Sequence, residues 1–332
     1  MLEKIERIEL FSGLNEYVSR IKDRISASAA ASYIICNDQV VNEWYSGHHQ
    51  YAESSRIVDP ASQFNVGSIR KTYLGFVISL AIYEGKIRSL NDPVTVYLPD
   101  LDDEALAHTT IRHLLTHTHG LQSEDKRFFP PGTDWRYNNA GVKILIKLVQ
   151  SLYEKSFTEI LEERVFSPCG FTEMGWRKEE SGNLVWLNES YLGDKGNEAN
   201  LFVSSRELAY WGYLHLNQGY FRGKQIIPRK VFELATSVIS PPTLEHHLPR
   251  NGFFWFVQDR PRPMSELGDQ LPVGSFQSLG ITGCVCLVIP QYKAVAVRMY
   301  NQTESNPADY DYLADIKNFG NLVTQCIKGI KD

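Results

Sequence analysis

Residues 2–26 carry apolar positions at helical spacing among mixed charges, the pattern of an amphipathic helix. Two short runs follow, ASYIICND (31–38) and QVVNEWYSG (39–47), rich in β-branched and aromatic residues. Asn37-Asp38 between them predicts a hairpin turn. After a polar loop, FNVGSIRKTYLGFVISLAIYEGK (64–86) reads as a short strand or turn feeding a long helix. Leu74, Phe76, Val77, Ile78, Leu80, Ala81 and Ile82 surround that helix almost completely. A helix apolar on all sides is buried, and Gly85 is placed to end it. From 90 to about 235 the pattern is mostly helical, interrupted by Pro, Gly and Asp turns; examples are 111–117, 140–155, 157–166 and 204–219. Strand-like runs return at FFWFVQ (253–258), CVCLVI (284–289) and AVAVRMYN (294–301), and 309–330 is again helical.

This order predicts an α/β (α+β) fold. An antiparallel sheet of about five strands, flanked by the terminal helices, is formed by 1–74 and 236–332. A mostly helical second domain spans 75–235, and a cleft between the two is the expected place for a ligand. At 332 residues, with 43% hydrophobic and 22% charged, the chain has enough apolar material for a sizeable core and is not a disordered polypeptide. The 34 Lys+Arg against 39 Asp+Glu leave a net charge of -5, which argues against a nucleic-acid partner. No apolar run is long enough for a membrane span. Charges recur too often near the N-terminus for a signal peptide, so a cytoplasmic location is expected. The cysteines at 36, 169, 284, 286 and 326 are odd in number and scattered, which suits reduced thiols. Cys284 and Cys286 fall on one face of a strand.

Two short patterns carry candidate chemistry. Ser68-Ile69-Arg70-Lys71 is an S-x-x-K, a spacing that also occurs at Ser19…Lys22 and Ser123…Lys126. Only Ser68 follows a glycine and opens the buried helix, where positions i and i+3 share a face. A serine hydroxyl becomes a nucleophile when a neighbouring base takes its proton, and a lysine serves as that base when burial or a nearby cation lowers its pKa. The second pattern is Tyr137-Asn138-Asn139, held on a short loop between Pro130-Pro131-Gly132 and the helix that starts near Ala140. A phenol near a lysine cation loses its proton more readily and can relay it to a leaving group. An asparagine amide can both orient the lysine and donate to a substrate carbonyl.

Taken together, FNVGSIRKTYLGFVISLAIYEGKIRSLNDPVTVYLPDL, TTIRHLLTHTHGL, PPGTDWRYNNAGVKIL and the later helical segments resemble, in that order, the serine β-lactamase and penicillin-binding-protein superfamily. The resemblance is to its class C-like branch, which includes esterases and D-amino-acid peptidases, and covers roughly residues 30 to 305. It implies a serine hydrolase that cleaves an ester or amide (β-lactam, D-amino-acid peptide or small ester) through a Ser68 acyl-enzyme. In that reading Lys71 and Tyr137 are base and acid, and Asn139 orients Lys71 and contacts substrate. No metal or organic cofactor is called for. The family's third motif, Lys or His followed by any residue and Gly, has no direct match. Counting back from Pro290 places Ser278-Leu279-Gly280 there, and a second register uses Ile281-Thr282-Gly283. Neither supplies the cation, for which Arg262 or Arg298 are the alternatives. The implied oxyanion hole pairs the amides of Ser68 and Ile281, with Ser278 and Gly280 beside the substrate.

Two other readings stay open: a catalytically inactive relative that binds a ligand or partner, and a zinc hydrolase. The second arises from His113, His117 and His119, but neither the H-E-x-x-H pattern nor a following Asp and His is present. Histidines closing the C-terminal end of a helix are the expected role of this cluster.

Overall fold

The computed structural model describes the chain except for residues 1, 6, 53, 102, 103, 105, 107, 124, 125, 178–180, 187–199, 303, 304 and 332. The N-terminal part runs β1 (Glu3–Lys4), α1 (Ile8–Arg24), β2 (Ala29–Cys36), β3 (Gln39–Gly47) and β4 (Gln63–Asn65). A single 3-10 turn at Gly67–Ile69 leads into α2 (Arg70–Tyr83). Next come α3 (Ile111–Leu115), α4 (Ala140–Tyr153), α5 (Phe157–Leu161) and α6 (Ser167–Cys169). They are followed by β5 (Met174–Trp176), β6 (Leu201–Ser204), α7 (Ser205–Leu216), β7 (Tyr220–Phe221), β8 (Lys224–Gln225) and α8 (Arg229–Ala235). The C-terminal part holds β9 (Phe256–Val257), β10 (Phe276–Leu279), β11 (Val285–Ile289), β12 (Ala294–Tyr300) and α9 (Tyr312–Lys331).

The main sheet has seven strands in the order β1-β3-β2-β12-β11-β10-β9, two more than expected. The additions are β1, which pairs parallel to β3, and β10, a four-residue strand whose Gln277 and Ser278 break the apolar pattern. The amphipathic helix therefore begins at Ile8 rather than near residue 2. FFWFVQ contributes only Phe256 and Val257 as a strand; Phe254 takes φ +62° and Phe253 to Trp255 turn into the core instead. The β2–β3 hairpin forms as predicted. Cys36 faces Gln39 across a two-residue loop, with Asn37 and Asp38 at φ 49° and 63°, the positive pair such a turn needs.

Helices cover both faces of this sheet, so β2, β11 and β12 are buried along their whole length. Alternation sends Ala294, Ala296, Val285 and Leu287 toward Phe11 and Val18 of α1 and Phe319 and Val323 of α9. Val295, Val297, Cys284 and Cys286 face the opposite way, into the core shared with α2 and α7. α7 lies directly on the sheet. A Cβ at its Gly212 would stand 2.7 Å from Val295 and 3.1 Å from the Cys286 sulfur, so the close approach depends on that glycine. α2 is buried from Lys71 to Ala81, as its all-round apolar surface requires. Its Tyr73 ring stacks on Trp211 of α7 with centroids 4.0 Å apart, and the indole N–H of Trp211 donates to Thr72 at 3.0 Å.

One buried ion pair ties α9 to the sheet. The Arg298 guanidinium donates to both carboxylate oxygens of Asp315, at 3.1 and 2.9 Å, and the hydroxyls of Tyr17 and Tyr310 donate to the same carboxylate at 2.7 and 2.6 Å. Burial works to raise the Asp315 pKa, but Arg298 and the two phenols outweigh it and hold the carboxyl below the ordinary range. The carboxylate's contribution to stability is therefore complete above the ordinary carboxylate pKa and fades as pH falls through its lower folded value. Asp315→Asn leaves a buried guanidinium without its counter-charge. A loss of about 3 kcal/mol is expected, read from the midpoint and slope of urea unfolding.

Among the described residues no helix is long and apolar enough to cross a membrane. All five cysteines are free.

Candidate active site

The Asn65–Ile69 segment presents Ser68. The Asn65 side-chain oxygen accepts from the Gly67 N–H at 2.9 Å, and Gly67 sits at φ +52°, a conformation that favours glycine. The 3-10 turn then aims the Ser68 hydroxyl along the start of α2, and Lys71 stands one turn further on. Lys71 Nζ donates to Ser68 Oγ at 2.8 Å. The Tyr137 hydroxyl donates to the same Oγ at 2.6 Å, and Lys71 Nζ also hydrogen-bonds to Tyr137 Oη. Three side chains, one of them 66 residues away in sequence from Lys71, thus meet at one oxygen.

The electrostatics divide the pair. Burial, helped by the neighbouring Arg70 charge, pushes the Lys71 amine down to about 6. Burial pushes the Tyr137 phenol up; the Ser68 hydrogen bond and Arg70 pull it back, and Glu266 adds to the rise. The expectation of a phenol acidified by a lysine cation is corrected here: at neutral pH the lysine is mostly uncharged and the phenol keeps its proton. The two partners of Ser68 are a free amine and a proton donor. Because the folded pKa of Lys71 lies below its unfolded value, burying the amine lowers stability increasingly as pH falls from the ordinary lysine range toward 6. Lys71→Met is accordingly expected to raise stability by on the order of 2 kcal/mol at pH 7 while removing the amine. Its gain over the wild type shrinks toward pH 10, a trend that thermal melts at several pH values will read.

The end of β10 forms the facing wall. A Cβ on Gly280 would lie 2.2 Å from the Val66 carbonyl oxygen, and one on Gly67 would lie 3.1 Å from the Ile281 nitrogen. Both glycines therefore let the strand end approach the nucleophile turn, and the Ile281 amide lies beside Gly67. The Thr282 hydroxyl fastens this wall by donating to the Asn65 carbonyl at 2.8 Å. The strand ends at Leu279, and residues 281–283 form the turn beyond it. A cleft of about 690 Å³ opens over Ser68, Tyr137, Asn139, Gly280, Ile281 and Glu266.

Two of the expected substrate contacts are not placed as anticipated. Ser278 is only 3% exposed and, on the pleat, points away from Leu279, which lines the cleft. Asn139 does line the cleft, but the hydrogen bonds of Lys71 go to Ser68 and Tyr137, so Asn139 does not orient the amine. It is the residue preceding α4, and the neighbouring Asn138 side chain accepts from the Ala140 N–H at 2.6 Å. Neither alternative arginine offers an open charge. Arg298 borders the cleft but is committed to Asp315, and Arg262 is paired with both oxygens of Asp259 at 2.8 and 2.6 Å.

The histidines do not converge on a metal. His113 lies in the first turn of α3, where its Nδ1 accepts from the Thr110 N–H at 3.2 Å in a reciprocal cap. In this five-residue helix His113 is in the last turn too, but its side chain contacts the N-terminal end rather than the last carbonyls. The helix ends at Leu115, and His117 takes φ +57°, which throws it off the face of His113. His119 Nδ1 accepts from the Leu121 N–H at 2.9 Å. Burial and neighbouring positive groups depress all three, His119 to about 4, so they stand neutral. His117 packs its ring 4.6 Å from that of Tyr137 and so buttresses the phenol, a function invisible in its spacing. Among the described residues no His, Cys, Asp and Glu cluster is arranged to hold a metal ion.

Comparison with known proteins agrees with this architecture. The chain belongs to the beta-lactamase family, whose model matches residues 14–317. An uncharacterized protein of Alkalihalophilus pseudofirmus is 41% identical over 93% of this chain and 94% of its own length. A beta-lactamase of Escherichia coli is 32% identical over 37% of this chain and 38% of its own length. Among solved structures, a class C beta-lactamase superposes with a TM-score of 0.76 at 16% identity, covering 98% of this chain and 97% of that one. EstCE1, described as a hydrolase with promiscuous acyltransferase activity, gives 0.74 at 16% identity over 98% and 99%.

Proposed function

We propose that the protein is a serine acyl hydrolase that cleaves an ester or amide through a covalent acyl-enzyme on Ser68. The observation that carries this reading is the Ser68 oxygen contacted at once by a buried, mostly neutral amine and by a protonated phenol. Ser68 Oγ attacks the substrate carbonyl as its proton passes to Lys71. Tyr137, bonded to both, relays a proton to the leaving group and is reprotonated through Lys71. The N–H groups of Ser68 and Ile281 receive the developing oxyanion; backbone donors need no particular side chain, so the lost third-motif cation does not remove them. Water then attacks the acyl carbonyl, gives its proton to the same pair, and releases the acid and the free serine.

Within the family's range, the cleft suits esters and amides that lack an obligatory carboxylate. In place of a third-motif cation stands the buried Ser278, and Arg262 and Arg298 are paired with aspartates, while Arg70 lines the cleft beside Ser68. Small neutral esters are therefore expected to react faster than β-lactams or D-alanyl peptides, whose carboxylates find no cation at the third-motif position. Intact-mass spectra after exposure to a panel of p-nitrophenyl esters, aryl amides and cephalosporins test the proposal. An acyl adduct mapped by peptide mass to Ser68 is expected with the esters. A chain that forms no adduct and releases no p-nitrophenol from any of them would be a binding protein.

A further inference from the structure

The cleft contains a carboxyl group that the acyl-transfer reading does not use. Glu266 lines the same cleft as Ser68 and is partly buried, beside the Tyr312 phenol. Among the described residues no Lys or Arg forms an ion pair with it. Arg298 is taken up by Asp315; Arg70 also lines the cleft, next to Lys71. The Glu266 charge is nonetheless felt at the Tyr137 hydroxyl, which places it within electrostatic reach of the reacting centre. Burial raises the Glu266 carboxyl to about 7. A buried carboxyl without a counter-charge is costly to ionise, and its ionised form is stabilised by any cation brought into the cleft. The rings of Trp135, Phe256, Tyr310 and Tyr312 border the same space, and aromatic faces attract cations.

We propose that Glu266 and the surrounding aromatic rings form a subsite for a cationic group, so that the substrates are esters or amides bearing an ammonium on the acyl or leaving-group portion. This rests on Ser68 acyl transfer for the position of the reacting carbonyl. The sign of this subsite is then the reverse of one built to bind a carboxylate: a substrate carboxylate placed there would meet Glu266.

Matched substrates that differ only in charge test this. p-Nitrophenyl 4-(trimethylammonio)butanoate is compared with p-nitrophenyl 5,5-dimethylhexanoate, and butanoylcholine with 3,3-dimethylbutyl butanoate. In the wild type at least one cationic member is expected to exceed its neutral isostere at least tenfold in kcat/KM. Glu266→Gln is expected to bring that ratio close to one, and Glu266→Asp to retain part of it. The ratio is insensitive to general damage, because a poorly folded variant loses both members of a pair alike. Ratios near one for both pairs in the wild type, or a preference that survives Glu266→Gln, would overturn the proposal. Should no ester acylate Ser68, the acyl-transfer reading fails by itself. Calorimetric titration with choline then decides the subsite: heat of binding lost in Glu266→Gln supports it, and no binding to the wild type overturns it.

Discussion

Ser68→Ala is expected to abolish covalent labelling by acyl donors and to lower ester turnover by at least about a thousandfold. The size follows from the way the site is built. Both the Lys71 amine and the Tyr137 hydroxyl hydrogen-bond to the serine oxygen, and neither has another nucleophile to activate. Without Oγ the amine and phenol still face each other, but no atom is left to form the acyl bond. The amides of Ser68 and Ile281 remain, so a small residual acceleration of hydrolysis by water is the most the variant retains. The substitution removes one partly exposed hydroxyl and leaves the 3-10 turn its backbone bonds, so melting temperature is expected to stay near that of the wild type. Stopped-flow release of p-nitrophenol and intact-mass spectra on the same sample read both effects. Labelling of the variant at the wild-type level would show that the nucleophile lies elsewhere.

Gly280→Val is the second large effect expected, and it acts through geometry alone. A Cβ at this position would come within 2.2 Å of the Val66 carbonyl oxygen, closer than any real carbon–oxygen contact. Val66 immediately precedes the nucleophile turn, so the end of β10 must retreat from it, carrying the Ile281 amide away from Ser68. Loss of one oxyanion donor costs about 10²- to 10³-fold in kcat, and the loss is expected in kcat more than in KM. Gly13→Ala is the control: nothing lies within 4 Å of a Cβ there, on the exposed face of α1, and activity is expected to be unchanged. If Gly280→Val kept wild-type kcat, the Ile281 amide would not be part of the reaction.

How much of this was legible in the sequence differs from residue to residue. Ser68 and Lys71 stood out because a glycine-serine step opens a helix with no polar face, and the family resemblance of the surrounding segments gave the pair its role. Tyr137 was a candidate because its Y-x-N pattern sits between a Pro-Pro-Gly turn and a helix, and the family resemblance gave it its role. The same pattern misled for Asn139: the hydrogen bonds of Lys71 go to Ser68 and Tyr137, and Asn139 stands at the position before α4. His113, His117 and His119 looked like a helix end; the helix stops at Leu115, two residues before His117, and the left-handed His117 sends the three rings to different partners. β10 escaped notice because a strand of four residues with Gln and Ser at its centre carries no alternation, and its place comes from pairing with β9 and β11. Glu266 had no local signal at all. It enters the cleft because the segment between β9 and β10 packs against the start of α9, a meeting of residues some 45 positions apart that only the folded chain creates.

The central claim is that a lysine held neutral by burial activates Ser68. The measurement that bears on it most directly is the pH dependence of the acylation rate of Ser68 with a neutral, non-ionising ester. It is followed in the wild type and in Glu266→Gln, so that the second cleft group titrating near neutrality is accounted for. Since the base works in its uncharged form, the rate is expected to rise with pH along a single limb with a midpoint near 6, present in both proteins. A limb centred in the ordinary lysine range, above pH 9, or one that disappears with Glu266→Gln, would contradict it.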